Sequence, residues 1–113
     1  MESRATLRYN RQSPYKVRKV LNEVRGFNVG AAISFLHFSP EKASVAIEKT
    51  IKSAVANLMQ NEIAADIDPD LIKIKEAYVN QGPVMKRFRA ASMGRASRLR
   101  RPSCHLTIIL TTE

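Results

Sequence analysis

A run of cations near the end of the sequence has the clearest chemistry. Residues 86–101 contain Lys86, Arg87, Arg89, Arg95, Arg98, Arg100 and Arg101 and no carboxylate. Arginine bonds phosphate through two N–H groups and stacks on exposed bases, neither of which lysine does well. Because cations this dense repel one another, the segment predicts a polyanionic partner. Its arginine content favours nucleic acid over a membrane surface.

A second excess of cations lies at the start of the chain. Residues 1–25 contain Arg4, Arg8, Arg11, Lys16, Arg18, Lys19 and Arg25 against two glutamates. Residues 26–85 carry five cations and seven acids, so the net charge of +9 over 113 residues comes from the two flanking segments. This pattern predicts a folded body that presents two separate polyanion-binding elements. If they neutralise about six to ten phosphates, affinity for a duplex should fall by about 10³ to 10⁵ between 50 and 200 mM salt.

The sequence offers little that could perform catalysis or hold a metal. Cys104 and His105 are neighbours, but in a strand their side chains point to opposite faces, so they do not form a nucleophile and base pair. Cys104 falls on an apolar face and is predicted to be a buried structural thiol, and His37 a helix-end or partly buried residue. The aspartates at positions 66, 68 and 70 lack the glycine and distal glutamate of a calcium loop. We therefore expect no enzyme activity, no metal and no cofactor.

The hydrophobic period predicts the helices that must position the cations. Apolar residues recurring at i, i+3 and i+4 indicate a first helix over about 14–25, which follows Ser13 and a proline and is stopped by Gly26. A second, short helix follows Asn28. A third and longest helix follows Ser39 and another proline.

Three segments alternate with a period of two and are predicted to be strands. The residues predicted to share a face are Ala5, Leu7 and Tyr9 in the first strand, Ile72, Ile74, Glu76 and Tyr78 in the second, and Cys104, Leu106, Ile108 and Leu110 in the last. Residues 80–102 lie between the last two strands and have no helical pattern. If both strands continue outward as a hairpin, each side of about ten residues projects roughly 30 Å.

The elements together predict an α+β fold in a single domain of residues 1–113. Three helices pack on a small antiparallel sheet, and residues 80–102 form a long protruding basic β-hairpin. The apolar residues of this arm are too few and scattered for a core of its own, so we expect it to be mobile alone and ordered by its partner.

Several blocks of sequence, taken in order, resemble one known family. They are Ser13-Pro14 with Lys16-Val17-Arg18, Val24-Arg25-Gly26, Lys52-Ser53-Ala54-Val55-Ala56-Asn57, Gly82-Pro83-Val84-Met85-Lys86-Arg87, and Gly94-Arg95-Ala96 followed by His105-Leu106-Thr107-Ile108-Ile109-Leu110. The family is that of large-subunit ribosomal protein twenty-two, in its bacterial or plastid form. The resemblance covers nearly the whole chain.

The resemblance implies a structural constituent of the large ribosomal subunit that binds and helps to assemble its rRNA. The body would lie near the polypeptide exit beside neighbouring large-subunit proteins, and the hairpin would run inward between rRNA domains. Its tip would line the exit tunnel, contact the nascent polypeptide and lie near the site of macrolide-type antibiotics. The tunnel-lining residues implied are Met85, Lys86, Arg87, Phe88, Arg89, Ala90, Ala91, Ser92, Met93 and Gly94. The location implied is the ribosome, in cytoplasm or plastid stroma.

One alternative function is compatible with the same charge pattern. A DNA-architectural protein also presents basic β-ribbons, which embrace the minor groove of a duplex and kink it. Such proteins usually dimerise to place two arms, whereas this sequence predicts one arm and no second apolar stripe for a dimer interface. The sequence has no apolar run of about 18 residues, so we expect no membrane insertion.

Overall fold

Three helices and five strands make up the part of the chain that the computed structural model describes, which is residues 2–60, 71–90 and 92–112. The helices are α1 (Pro14–Val24), α2 (Val29–His37) and α3 (Lys42–Met59). The strands are β1 (Glu2–Asn10), β2 (Lys73–Gln81), β3 (Met85–Ala90), β4 (Ala96–Arg101) and β5 (Cys104–Thr111). The predicted α+β class, with three helices and a basic hairpin, is confirmed.

The helix boundaries follow the predicted signals with one exception. Helix α1 has Ser13 as its N-cap and a proline in its first turn, and Gly26 beyond its end takes a φ of +85°, which glycine adopts without strain. Helix α3 begins later than predicted, because Glu41 and not Ser39 is its N-cap. The Ser39 hydroxyl accepts a hydrogen bond from the Glu41 backbone N–H at 3.3 Å, which forms a turn ahead of the helix.

The body is an antiparallel sheet in the order β1-β5-β2 with the helices packed on it. Helix α3 lies on β1 and β5, α1 on β2, and α2 on α3. The largest fully buried side chains are Leu21, Leu36, Ile47, Ile51, Leu58, Ile72, Leu106, Ile108, Leu110, Val17, Val20 and Val24. Each such side chain contributes roughly 1.5–3 kcal/mol to folding, so this core stabilises the body.

Strand β2 contains a bulge that the alternation pattern did not reveal. Ile74 and Glu76 lie opposite consecutive residues of β5, so one extra residue stands between them. The bulge shifts the inward face by one position. The prediction that Ile74, Glu76 and Tyr78 share a face is therefore wrong beyond the bulge, where Ala77 and Val79 are the buried residues.

Strand β1 departs from its predicted alternation at its end. Ala5 is buried as expected, but the register shifts between Leu7 and Asn10, and Tyr9 adopts a φ of +57°. Tyr9 is 65% exposed, and its ring packs edge-on against His105 with centroids 4.9 Å apart. The prediction that Tyr9 shares the inward face is wrong, because the irregular backbone turns the side chain outward.

The predicted hairpin is present as a second, two-stranded sheet made of β3 and β4. Residues 82–84 and 102–103 separate it from the body sheet, and we call them the joint. Two hydrogen bonds cross the joint: the Gly82 N–H donates to the Ser103 carbonyl at 2.9 Å, and the Ser103 hydroxyl donates to the Pro83 carbonyl at 2.6 Å. The molecule measures 64 × 24 × 16 Å, and its radius of gyration of 17.2 Å exceeds the roughly 13 Å of a compact chain this long.

Candidate nucleic-acid interface

The arm, which is the hairpin of β3, β4 and their connecting turn, presents cations on both faces. Residues opposite each other in an antiparallel ladder point to the same side. One face holds Met85, Arg87, Arg89, Ser97, Leu99 and Arg101, and the other holds Lys86, Phe88, Ala90, Ala96, Arg98 and Arg100. Each face therefore carries three cations, so the arm offers positive charge to partners on two sides.

The cations of the arm are exposed and lack carboxylate partners. All six on the two strands are exposed, and no ion pair holds any of them within residues 2–60, 71–90 and 92–112. Lys86 lies directly opposite Arg100, a like-charge pair that destabilises an isolated ladder. An anion placed between such cations removes that repulsion, so the arm is suited to a polyanionic partner.

Apolar side chains alternate with these cations and are exposed or half-buried. Phe88 is 70% exposed and lies opposite Arg98, while Met85 and Leu99 are half-buried on the other face. An aromatic ring or a guanidinium plane beside a cation provides a surface on which an unpaired base stacks. The arm therefore combines cations that can bind phosphates with side chains on which bases can stack.

The turn at the end of the arm has an unusual backbone. Met93 adopts a φ of +63° and Gly94 a φ of +72°, so two successive residues lie in the left-handed region. This conformation is costly for methionine. The Met93 side chain is 95% exposed, and Arg95 beside the turn is also exposed. Of the predicted tunnel-lining residues, Ala91 lies outside the described residues, as does the side chain of Ser92.

The N-terminal cations are distributed over two elements and the loop between them. Arg4 and Arg8 are exposed on β1, and Arg11 lies in the loop before α1. Two others have protein partners: Arg25 donates its Nε to Asn22 Oδ1 at 2.8 Å, and Arg18 donates its Nε and Nη2 to the Val79 carbonyl at 3.2 and 2.6 Å. Arg18 thus fastens α1 to β2, and three of its five N–H groups remain for a further partner.

The two cationic segments meet at a cleft of about 800 Å³ beside the joint, which we call the basic cleft. It is lined by Arg11, Gln12, Ser13, Lys16, Lys19, Glu41, Lys42, Ala43, Met85, Arg87, Arg101 and Pro102. Sequence reasoning missed Lys42, because nothing in a linear pattern indicates that the start of α3 faces the base of the arm. Six cations and one carboxylate give the lining a net charge of +5.

Comparison with known proteins identifies the family to which this geometry belongs. The model of the family described as ribosomal protein L22p/L17e matches residues 5–111, which include the body and the arm. The chain belongs to that family. A protein of Syntrophotalea carbinolica is 46% identical over 113 residues, covering 100% of both chains. One of Magnetococcus marinus is 43% identical over 112 residues, covering 99% of this chain and 96% of its own, and each is named "Large ribosomal subunit protein uL22".

A third relative extends the likeness to a cyanobacterium. The protein of Trichodesmium erythraeum with the same name is 41% identical over 111 residues, which cover 98% of this chain and 91% of its own. Membership of a ribosomal protein family confirms the prediction that the chain is not an enzyme.

The residues considered for catalysis have structural surroundings. The Cys104 thiol is fully buried and accepts a hydrogen bond from Asn10 Nδ2 at 3.7 Å. Burial raises the pKa of Cys104, so the thiol stays protonated and inert. His105 Nδ1 accepts a hydrogen bond from the Tyr9 N–H at 3.1 Å, and His37 lies at the end of α2, 3.5 Å from Glu48.

The described part of the chain has neither a cluster of metal ligands nor a helix that could cross a membrane. Within residues 2–60, 71–90 and 92–112, no group of three His, Cys, Asp or Glu side chains comes together as a metal site requires. The aspartates at positions 66, 68 and 70 lie outside the described residues. No helix in the described ranges has the length and apolar content to cross a membrane.

Proposed function

We propose that the protein is a structural constituent of the large ribosomal subunit that binds large-subunit rRNA and helps its assembly. The carrying observation is the exposed arm with cations on both faces and no ion pair to the described residues, in a chain whose relatives are named as large-subunit proteins. The rRNA-binding residues proposed are Arg4, Arg8, Arg11, Lys16, Arg18, Lys19, Arg25, Lys86, Arg87, Arg89, Arg95, Arg98, Arg100 and Arg101.

The shape of the arm supports insertion between RNA segments. Two strands make a thin ribbon, and cations on both of its faces neutralise phosphates on two sides at once. A duplex-bending DNA protein uses its ribbon on one groove, so two charged faces favour threading through folded RNA. Residues 1–113 act as one domain, and residues 80–102, the predicted hairpin segment that contains the arm, are ordered by RNA.

The end of the arm is proposed to line the nascent-peptide exit tunnel with residues 85–94. Support comes from the Met93 side chain, which is 95% exposed. A side chain this exposed is not packed against the described part of the body, so packing there does not account for a methionine at this position. A flexible thioether is an adaptable surface for passing peptides of varied sequence. Neighbouring large-subunit proteins adjoin the body, macrolide-type antibiotics bind near the tip, and the location is the ribosome of a cytoplasm or plastid stroma.

Binding to rRNA is tested by titrating the chain against a large-subunit rRNA transcript and a B-form DNA duplex at several salt concentrations. We expect tighter binding to the transcript and a steep loss with salt, about 10³-fold or more between 50 and 200 mM. The control variant is Lys49→Gln with Lys73→Gln, which removes two exposed body cations outside the proposed sites. Equal or tighter affinity for the duplex would overturn the proposal in favour of the DNA-architectural alternative.

The tunnel role is tested separately in ribosomes that carry the protein with a single exposed thiol. Met93→Cys should form crosslinks to a stalled nascent polypeptide, whereas Ser53→Cys on the exposed side of α3 should not. The native Cys104 thiol is buried and needs no substitution. Crosslinks from Ser53→Cys but none from Met93→Cys would overturn the placement of the tip.

A further inference from the structure

We infer that the basic cleft is the seat of a single RNA backbone strand, and that this strand braces the arm against the body. The inference rests on the proposed function and adds a site, an occupant and a mechanical consequence to it. Its central residue is Lys42, which the sequence pattern did not single out.

The first support is the convergence of cations from separate parts of the fold. Arg11 comes from the loop before α1, Lys16 and Lys19 from α1, and Lys42 from the first turn of α3. Arg87 and Arg101 come from the two strands of the arm. No ion pair holds any of these six within the described ranges, so their charge is available to an anion.

The second support is the way the fold sets these cations in place. Lys16 and Lys19 are one turn apart on α1 and therefore lie on the same side of that helix. Arg87 and Arg101 share a face of the arm, because Met85 pairs with Arg101 and positions 85 and 87 point the same way. The body and the arm thus each contribute an aligned pair, with Lys42 beside them.

The size of the cleft selects the form of the RNA. The cleft is a local concavity of about 800 Å³ between the body and the base of the arm. One sugar-phosphate strand fits into a concavity of this size, whereas a double helix is too wide to enter it. Ala43, Met85 and Pro102 also line the cleft and offer apolar surface to a ribose or a base.

The mechanical consequence follows from the position of the cleft across the joint. The arm sheet is separate from the body sheet, and the two hydrogen bonds at the joint link its own two segments, not the arm to the body. A strand that contacts Lys16, Lys19 and Lys42 on one side and Arg87 and Arg101 on the other holds the arm at one angle. Occupation of the cleft and the direction of the arm are therefore coupled.

The binding test compares two lysines of the same helix. Lys42→Gln removes a cation from the cleft, and Lys49→Gln removes an exposed cation from α3 outside it. Neither lysine forms an ion pair with another described residue. For a single-stranded oligouridylate, Lys42→Gln should weaken binding about fivefold at 100 mM salt and lower the salt slope by about 0.7. Lys49→Gln should change neither value, and neither substitution should change binding to a perfectly paired RNA duplex.

The outcomes separate this inference from the function on which it rests. If the wild-type chain binds a large-subunit rRNA transcript and the two variants match each other, the cleft is not the seat and the proposed function survives. If the wild-type chain does not bind the transcript, both fall. An equal loss of duplex affinity in Lys42→Gln would overturn the single-strand occupant.

The coupling is tested by measuring the distance between spin labels at Ser53→Cys on α3 and Ser97→Cys on β4. Saturating rRNA transcript should narrow the distance distribution in the parent and in Lys49→Gln. In Lys42→Gln the distribution should stay broader at the same occupancy. Equal widths in the two variants would overturn the claim that the cleft strand braces the arm.

Discussion

Strands β4 and β5 are consecutive, and two residues separate them, yet their surroundings are opposite. In β5, Cys104, Leu106, Ile108 and Leu110 are fully buried, and β5 pairs on both edges. In β4 only Leu99 is even half-buried, and the strand has one partner. The two strands share a backbone conformation but not a source of stability. Burial of its side chains stabilises β5, whereas β4 is stabilised only by its hydrogen-bonded ladder with β3.

This difference assigns two tasks to two regions of one small chain: the body stabilises the fold, and the arm is proposed to bind the partner. Residues of the body are restricted by packing, because a cavity or an unpaired polar group there costs free energy of unfolding. Residues of the arm are much less restricted by packing, because all their described side chains are exposed except those of Met85 and Leu99, which are half-buried. Substitutions in the two regions should therefore affect different measurements.

The largest effect is expected from a matched pair of leucines. Leu106→Ala in β5 should lower the free energy of unfolding by about 2–5 kcal/mol, because it leaves a cavity in the core. Leu99→Ala in β4 should cost less than about 1 kcal/mol, because Leu99 is only half-buried. Urea denaturation followed by circular dichroism measures both. Equal costs would contradict the division between body and arm.

The next effect concerns affinity rather than stability. Arg98→Gln combined with Arg100→Gln should weaken binding to an rRNA transcript about 25- to 60-fold at 100 mM salt, since each phosphate contact contributes a factor of about five to eight. The free energy of unfolding should not fall, because the pair makes no ion pair within the described chain and Arg100 faces Lys86. Filter binding and urea denaturation provide the two values. An unchanged affinity for the transcript would contradict this prediction. So would a lower free energy of unfolding without a loss of affinity, because the two arginines would then stabilise the fold and not bind RNA.

A smaller effect is expected at the joint between the two regions. A Cβ on Gly82 would lie 2.7 Å from Ser103 Oγ, so Gly82→Ala should displace the hydroxyl from the Pro83 carbonyl and cost about 1–2 kcal/mol. Ser103→Ala removes the colliding oxygen. The double variant should therefore lose less free energy of unfolding than the sum of the two single variants. If the losses of the two single variants simply add in the double variant, the Cβ at position 82 does not collide with the Ser103 hydroxyl.

The smallest effect is an acid dependence confined to the body. Lys52 Nζ lies 3.1 Å from Glu48 Oε1 and holds the pKa of that carboxyl below its ordinary 4.5, with a further contribution from His37. A lowered pKa in the folded state stabilises the protein fully above about pH 4.5, and this contribution is lost as pH falls through the lowered value. Glu48→Gln should therefore lose less stability than the wild type between about pH 5 and pH 3. Glu23→Gln, at an exposed carboxylate without an ion pair within the described ranges, should follow the wild type.

The elements that the sequence predicted well are those with a local cause. Helix α1 begins at Pro14 and ends before Gly26, because a proline in the first turn and a glycine with left-handed backbone are signals carried by single residues at its two ends. The burial of Cys104 follows from alternation within a single strand. The basic hairpin could also be predicted, because two predicted strands flank residues 80–102 and can continue outward as its two sides.

The features that the sequence did not predict depend on distant partners. The bulge before Glu76 appears only when β2 is aligned with β5, and the register shift that turns Tyr9 outward appears only when β1 is aligned with β5. Lys42 joins the basic cleft because α3 begins beside the base of the arm, which no local pattern records. The hydrogen bonds from Arg18 to the Val79 carbonyl also could not be predicted, because the charge of a residue does not show which distant carbonyl it will contact.

The order of the body sheet, β1-β5-β2, sets when the protein can fold during its own synthesis. The central strand is the last of the five to leave the ribosome that makes it, and its pairing with β1 joins Glu2 to Thr111 across nearly the whole chain. Until β5 is available, β1 and β2 have no neighbour between them, and contacts this distant in sequence form slowly. The sheet that anchors the arm therefore closes only after the whole of β5 has been synthesised.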